Sequence, residues 1–298
     1  RYTHRGPMRR EHGRWISMRW TVLEQSNELK ALYDASHAHS AQEFQDGIAR
    51  SYVAPAQNML VADRKGSISI RSTGHFPLRP DDGSGEVIRD GSVSTSDWTG
   101  FWPISKYPQS ENPKQGFLAS ANQEPEVPEA EFGYLGTDHG YEVWRALRIN
   151  ELLRADSSVT PEDMMHWQTD PGSARADLFA PYFIAAAKAE SDRGRGSAKL
   201  TTAAALLAQW DRRYTLDNQR AVLFEAAMQQ LANRTWDELL KNGTRVATPS
   251  TAVLAELLSQ PNNAWWDDRR TAGVVETRDD ILAQSLVEAY DSVTRQYG

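Results

Sequence analysis

The spacing of hydrophobic positions changes near Glu142. Before it the chain reads as short extended runs, turns and two short helices. After it the apolar residues recur at helical spacing. In the first part, Trp15 to Val22 (WISMRWTV) alternates loosely and ends on β-branched residues, which predicts a strand. Glu28 to Ser36 and Ala41 to Ser51 predict short helices. From Gln57 to Ile70 two extended runs, NMLVA and SISIR, flank the turn DRKG, which predicts a hairpin. Gly74 to Gln115, rich in Gly, Pro, Ser and Asp, predicts a long surface excursion pinned to a core by Trp98, Phe101 and Trp102. Gly116 to Ser120 (GFLAS) predicts another short strand.

From Glu142 onward Trp144 pairs with Leu147, and Ile149 with Leu152 and Leu153, at helical neighbour spacing. Thr160-Pro161-Glu162-Asp163 is a helix start: Thr caps, Pro suits the first helical position, and acids meet the positive end of the dipole. Helices are predicted over Ala198 to Trp210, over Arg220 to Lys241 with Asn242-Gly243 as its C-cap, and over Pro249 to Leu258. The last helix starts at Thr277, with Asp280 three residues on, and carries the stripe Leu282, Leu286, Ala289 and Val293. The fold class is therefore α+β. Two domains are expected, a strand- and loop-rich part over 1–141 and a mainly helical part over 142–298.

Composition narrows the function. The 298 residues carry 33 Lys and Arg against 40 Asp and Glu, a net charge of −7. That balance argues against a general nucleic-acid binder or a ligand of anionic membranes. No cysteine is present, which excludes disulfides, thiolate metal sites and a Cys nucleophile. The longest apolar stretches, Thr201 to Ala208 and Phe179 to Ala187, fall short of the roughly 20 residues of a membrane span. Arg1 to Arg10 lacks the apolar core of a signal peptide. With no initiator Met, this opening suggests a piece processed or excised from something longer.

Local signatures of chemistry are sparse. There is no H-E-x-x-H, no G-x-S-x-G and no S-x-x-K. His37 and His39, two apart, fall on different faces of a helix. Gly194-Arg195-Gly196 follows a helix, not a strand, and reads as an inter-helix turn. The acid pairs Asp81-Asp82, Asp267-Asp268 and Asp279-Asp280 read as caps or solvated charges, the last as the opening of the final helix. Asp81-Asp82-Gly83 could offer oxygens to calcium but lacks EF-hand spacing. The ten tryptophans are scattered, as packing anchors are.

An ordered set of segments says more. Ala54 to Asp63 (APAQNMLVAD), Gly66-Ser67-Ile68 and Thr73 to Pro77 (TGHFP) together resemble a hairpin of the penicillin acylase family. Asn112 to Gln123 (NPKQGFLASANQ) resembles that family's strand and loop, and Trp144 to Leu153 (WRALRINELL) its R-x-x-R-I-x-x-L-L helix. Gln168-Thr169-Asp170 is similar to its Q-x-D, and His4-Arg5-Gly6-Pro7 to its HGP segment with an Arg inserted. The matches run in order from about Tyr2 to about Asp170.

The resemblance implies an N-terminal-nucleophile (Ntn) hydrolase. In that family a precursor cleaves itself and exposes a Ser at the start of its large chain. The Ser hydroxyl attacks the amide, its own α-amine serves as base, and hydrogen-bond donors including an Asn side chain hold the oxyanion. By position Asn122 is similar to that Asn, and Arg145 to the helix arginine that orients the site. Gln123 stands where the family has a second Asn and is assigned no chemistry. Residue chemistry alone reads Asn122 as an ordinary loop residue and Arg145 as an ion-pair partner of Glu142 or Glu151; the motif order reverses this.

Further implications follow from the same resemblance. Residues 1–141 become part of an αββα sandwich and 142–298 a mainly helical subdomain. Arg1 has no hydroxyl, so the chain is expected to be a central segment of the large chain, lacking the nucleophile and inactive alone. Its partners would be a small acyl-amide substrate and the missing N- and C-terminal parts of the same precursor, with no nucleic acid and no membrane. An incomplete sheet predicts open edges and self-association. No cofactor is needed for catalysis; a structural calcium ion occurs in some relatives, its ligands here unassigned. A periplasmic or secreted location is expected. Aromatic acetyl, glutaryl and fatty acyl substrates all stay open. The alternative is a non-catalytic binding or structural module on the same scaffold. A glycoside-acting domain built on the Trp-rich loops ranks third, since no two carboxylates are spaced to converge on a groove.

Overall fold

A computed structural model describes residues 1–80, 85, 87–123, 125, 142–241, 244–245 and 248–298 of the chain. The chain divides into two compact units, Arg1–Tyr141 and Glu142–Gly298.

The first unit begins with β1 (Tyr2–Thr3), β2 (Gly6–Glu11) and β3 (Arg14–Ser17) in one antiparallel sheet. His12 and Gly13, both at positive φ, make the two-residue turn that suits a right-twisted hairpin. The expected strand from Trp15 to Val22 stops at Ser17, and Thr21–Leu23 forms a 3-10 turn. A strand lasts only while it has a partner. Met18 N donates to Pro7 O, and just beyond, Gly6 crosses so close that a Cβ on it would meet Met18 O at 2.3 Å.

Helices α1 (Glu28–Ser36) and α2 (Ala41–Ser51) start where their caps dictate. Asn27 Oδ1 accepts from Lys30 N and Ser40 Oγ from Glu43 N. The pair packs through Ala31, Ala35, Ile48 and Tyr52. The predicted hairpin is present as β4 (Gln57–Ala62) and β5 (Ile68–Thr73), with Leu60 opposite Ile70. Asp63 organises its turn by accepting from Lys65 N and Ser67 N, and ties it to α2 by accepting from Ala41 N.

Within the stretch read as a surface excursion, β6 (Pro77–Leu78) pairs with β7 (Gly100–Phe101). Phe76, Trp102 and Tyr107 form a small core of their own. Trp102 is thus an anchor as expected, while Trp98 and Phe101 pack on each other half-buried. β8 (Gln109–Glu111) takes the second edge of β5. Gly116 to Ser120 is consequently not a strand: the place beside β5 is filled, and the chain turns at Gly116. Asp81-Asp82-Gly83 lies outside the described residues.

The second unit holds α3 (Trp144–Ala155), α4 (Pro161–Trp167), α5 (Ala174–Asp192), α6 (Ala198–Ala208), α7 (Gln219–Thr235), α8 (Thr251–Leu257) and α9 (Arg278–Tyr297). One core runs through it, with Phe179, Phe183, Leu207, Phe224, Leu231, Trp266, Leu282 and Leu286 all fully buried. α9 packs on α5, α6 and α7, and its stripe of Leu282, Leu286 and Ala289 is the contact face. Both predicted helix starts are full capping boxes, Thr160 with Asp163 and Thr277 with Asp280. Gly194-Arg195-Gly196 is the turn between α5 and α6.

The structure differs from expectation at two places in this unit. The helix expected to reach Lys241 ends at Thr235, because Trp236 turns into the core and Asp237–Leu239 tightens to a 3-10 turn. The short strands β9 (Leu240–Lys241) and β10 (Thr244–Arg245) follow, and the proposed C-cap Asn242-Gly243 lies outside the described residues. Asp267-Asp268 is not a solvated pair either, since Asp268 is 1% exposed. Its carboxylate accepts from Arg234 Nη1 at 2.8 Å and from Arg270 Nε and Nη2 at 2.7 Å each. These bonds, those from Arg270 foremost, hold its pKa below the usual carboxylate range. Neighbouring Asp237 is shifted the other way, by burial first and then by the charges of Glu238 and Asp268.

Candidate active site

Asn122 sits in the first unit at φ 65°. That left-handed conformation is one Asn tolerates better than other side chains with a Cβ. The loop that carries it is braced from three directions. Asn58 on β4 donates through Nδ2 to Ser120 Oγ at 2.8 Å and accepts from Ser72 Oγ of β5 at 2.6 Å. Ala121 is buried. Gln123 folds back, its Oε1 accepting from Ala121 N at 2.7 Å and its Nε2 donating to Ala119 O at 3.2 Å. Asn122 itself is exposed at the tip of this clamp. Gln123 therefore has a loop-bracing job. Asn58 and Ser120 were missed as supports, although both lie in segments that carry the family resemblance.

Arg145 is the second residue of α3 in the second unit and is exposed. The helix around it is held firmly. Trp144 Nε1 donates to Glu142 Oε2 at 3.1 Å and to Thr251 Oγ1 at 2.5 Å, while Glu142 Oε1 accepts from Thr251 N at 2.9 Å. Glu142 thus does for α8 what an N-cap side chain would do. One turn on, Arg148 grips Asp170 with two bonds, Nε to Oδ2 at 2.7 Å and Nη2 to Oδ1 at 3.2 Å. Such a fork is among the stronger polar contacts in proteins. Asp170 also accepts from Arg213 Nη2 at 3.1 Å and Gly172 N at 3.1 Å. The bond from Arg148 is the main reason its pKa lies below the ordinary carboxylate value. A Cβ at Gly172 would stand 2.7 Å from Arg148 Nε, so a larger residue there would push the guanidinium off Asp170. Glu151 also accepts from Arg148 Nη1 at 2.9 Å.

α3, α4 and the start of α5 enclose a cleft of about 450 Å³ lined in part by Arg145, Arg148 and Asp170. Asn122 and Arg145 fall in different units, and each is positioned by its own unit. Chemically, an amide N–H on a braced turn and a guanidinium on an anchored helix can both stabilise an anion. Among the described residues no group of three or more His, Asp and Glu side chains is arranged to hold a metal ion, and no calcium ligand is assigned.

Known proteins are similar to this chain. Acyl-homoserine lactone acylase QuiP of Pseudomonas fluorescens is 27% identical over 308 residues, covering 94% of this chain and 36% of that protein. The protein of the same name from Pseudomonas syringae pv. syringae is 27% identical over 303 residues, covering 94% and 35%. The chain thus spans about 36% of the length of the first of these curated relatives. Thermostable penicillin G acylase from Alcaligenes faecalis matches in structure with a TM-score of 0.74 at 18% identity, covering 100% of this chain and 57% of that one. The α+β architecture is therefore that of penicillin G acylase, an Ntn-hydrolase fold. The sequence pattern of the penicillin amidase family matches residues 1–298, from the first residue to the last, and the chain belongs to that family.

Proposed function

We propose that these 298 residues are a segment of an amidohydrolase that cleaves a linear carbon–nitrogen amide, with the attacking serine supplied by polypeptide outside them. The serine oxygen bonds to the amide carbon and its proton passes to the serine's own α-amine. Negative charge collects on the carbonyl oxygen, where the Asn122 Nδ2–H donates. The carbon–nitrogen bond then breaks, the proton leaves with the amine, and water hydrolyses the acyl ester to a carboxylate. Arg145 orients the site through its charge and touches no bond that breaks.

The observation that carries this reading is the braced loop. Its supports Asn58, Ser120 and Gln123 hold the turn that carries the exposed Asn122. Such pre-positioning is what an oxyanion donor needs, because no reorganisation is then required at the moment of reaction. On the same reading no cofactor takes part, the other parts of the precursor complete the site, and the protein works in the periplasm or outside the cell. The relatives' names place acyl-homoserine lactones and penicillin G among the amides to test.

The test uses the longer parent protein and a chromogenic acyl-anilide. Asn122→Gly removes the amide yet keeps the left-handed turn. It is expected to lower kcat by about 10²–10³, the worth of one oxyanion donor. The isolated 298-residue chain is expected to show no turnover. A parent that lacks a serine at a self-cleavage junction would favour the non-catalytic module instead.

A further inference from the structure

We infer that Asn58 is a positioning residue for the reaction: its side chain fixes where the Asn122 loop stands against the β4–β5 hairpin, and through that loop it sets the rate of the chemical step. The inference rests on the hydrolysis reading, with Asn122 as its oxyanion donor.

Asn58 lies on β4 directly opposite Ser72 of β5, so the two side chains share one face of the hairpin. Ser72 is itself held in place. It is 8% exposed, and its backbone N donates to Pro108 O at 2.8 Å. Its hydroxyl donates to Asn58 Oδ1 at 2.6 Å, and Asn58 Nδ2 donates onward to Ser120 Oγ at 2.8 Å. A carboxamide suits this place because it accepts at one end and donates at the other. With the acceptor end taken by Ser72, the donor end is turned to the loop.

The bonds of Gln123 differ in kind. They run to Ala121 N and Ala119 O, inside the loop, and would travel with it if it shifted as a body. The Asn58 bond joins residues 62 positions apart and ties the loop to the sheet. Gln123 therefore shapes the loop, and Asn58 places it. Placement matters for rate, since a shift of about 1 Å in a catalytic group can cost about 10²-fold.

The experiment is a double-mutant cycle in the longer parent protein, with the chromogenic acyl-anilide as substrate and kcat and KM measured separately. Asn58→Leu keeps the size of the side chain and removes both bonds. It is expected to lower kcat about 10–100-fold and to change KM less than about twofold, because the oxyanion exists only beyond the ground state. Ser120→Ala, a milder change at the other end of the same bond, should lower kcat at least about threefold. In the Asn122→Gly background no donor is left to place, so Asn58→Leu should lower kcat less than about twofold further. A variant that only reduced the folded fraction would add its full loss to that of Asn122→Gly. Such a full further loss, a change in KM alone, or an unchanged kcat in either Asn58→Leu or Ser120→Ala would overturn the role of Asn58 and leave Asn122 as the donor. If Asn122→Gly itself left kcat unchanged, the hydrolysis reading would fall and the role of Asn58 with it.

Discussion

The two units bury their apolar residues in different ways. The helical unit closes one continuous core from Phe179 to Leu286. Among its described residues the strand-rich unit has two small clusters, one around Ile48 and one around Trp102, and leaves Tyr2, Trp15, Trp20, Leu29 and Tyr33 exposed. A helix satisfies its backbone internally and needs only a neighbour for its stripe. A strand needs an edge to pair with, and its sheet needs something laid over each apolar face. The contrast predicts that the helical unit is the more stable of the two.

The largest expected effect tests that contrast directly. Phe224→Ala, in the continuous core, should cost about 3–5 kcal/mol in denaturant unfolding. Phe76→Ala, in the three-residue cluster, should cost clearly less. Equal losses would show that the strand-rich unit is as well packed as the helical one. Next comes the anchor of α3. Asp170→Ala leaves Arg148 without its fork and should cost about 2–3 kcal/mol, read by the same unfolding curves.

The same residue sets a pH dependence. The folded-state pKa of Asp170 lies below its unfolded value, as does that of Asp268. The stability they contribute is therefore present above the unfolded value, near pH 4, and is lost as pH falls through the lower folded value. The helical unit should unfold in acid over that window, and Asp170→Asn should flatten the curve. Asp237 works in the opposite sense, since its folded pKa is raised and its charge opposes folding. Asp237→Asn should stabilise at pH 7 by about 0.5–1 kcal/mol and have no effect at pH 3.

Smaller effects separate capping from chemistry. Thr277→Ala removes half of a capping box and should lower stability by about 1 kcal/mol. Asn122→Gly should change the stability of the chain by less than about 0.5 kcal/mol, because the residue is exposed and glycine accepts its φ. A large loss there would mean that Asn122 is a structural clamp, and the oxyanion assignment would fall with it.

How much was readable in advance follows the range of the forces involved. α1, α2 and the starts of α4 and α9 were legible to the residue, since a cap and the donor it satisfies lie three positions apart. The β4–β5 hairpin was legible because its turn residue Asp63 binds its own neighbours. Partner choice was not. Nothing local says that Gln109–Glu111, not Gly116 to Ser120, takes the edge of β5. Nor does anything local say that Asp268 will be buried against Arg234, 34 positions away.

Asn122 and Arg145 could be singled out from the order of motifs along the chain. Their supports could not. Asn58 reaches Ser120 across 62 positions and Arg213 reaches Asp170 across 43. Amino-acid order alone settled where helices begin, which stripe of the last helix turns inward, and which segments carry the family's pattern. Each of those depends on residues within about one turn of one another. Which strand found which edge, which carboxylate lost its water, and what holds the Asn122 loop still were settled only on folding, because those contacts join groups that the chain itself keeps far apart.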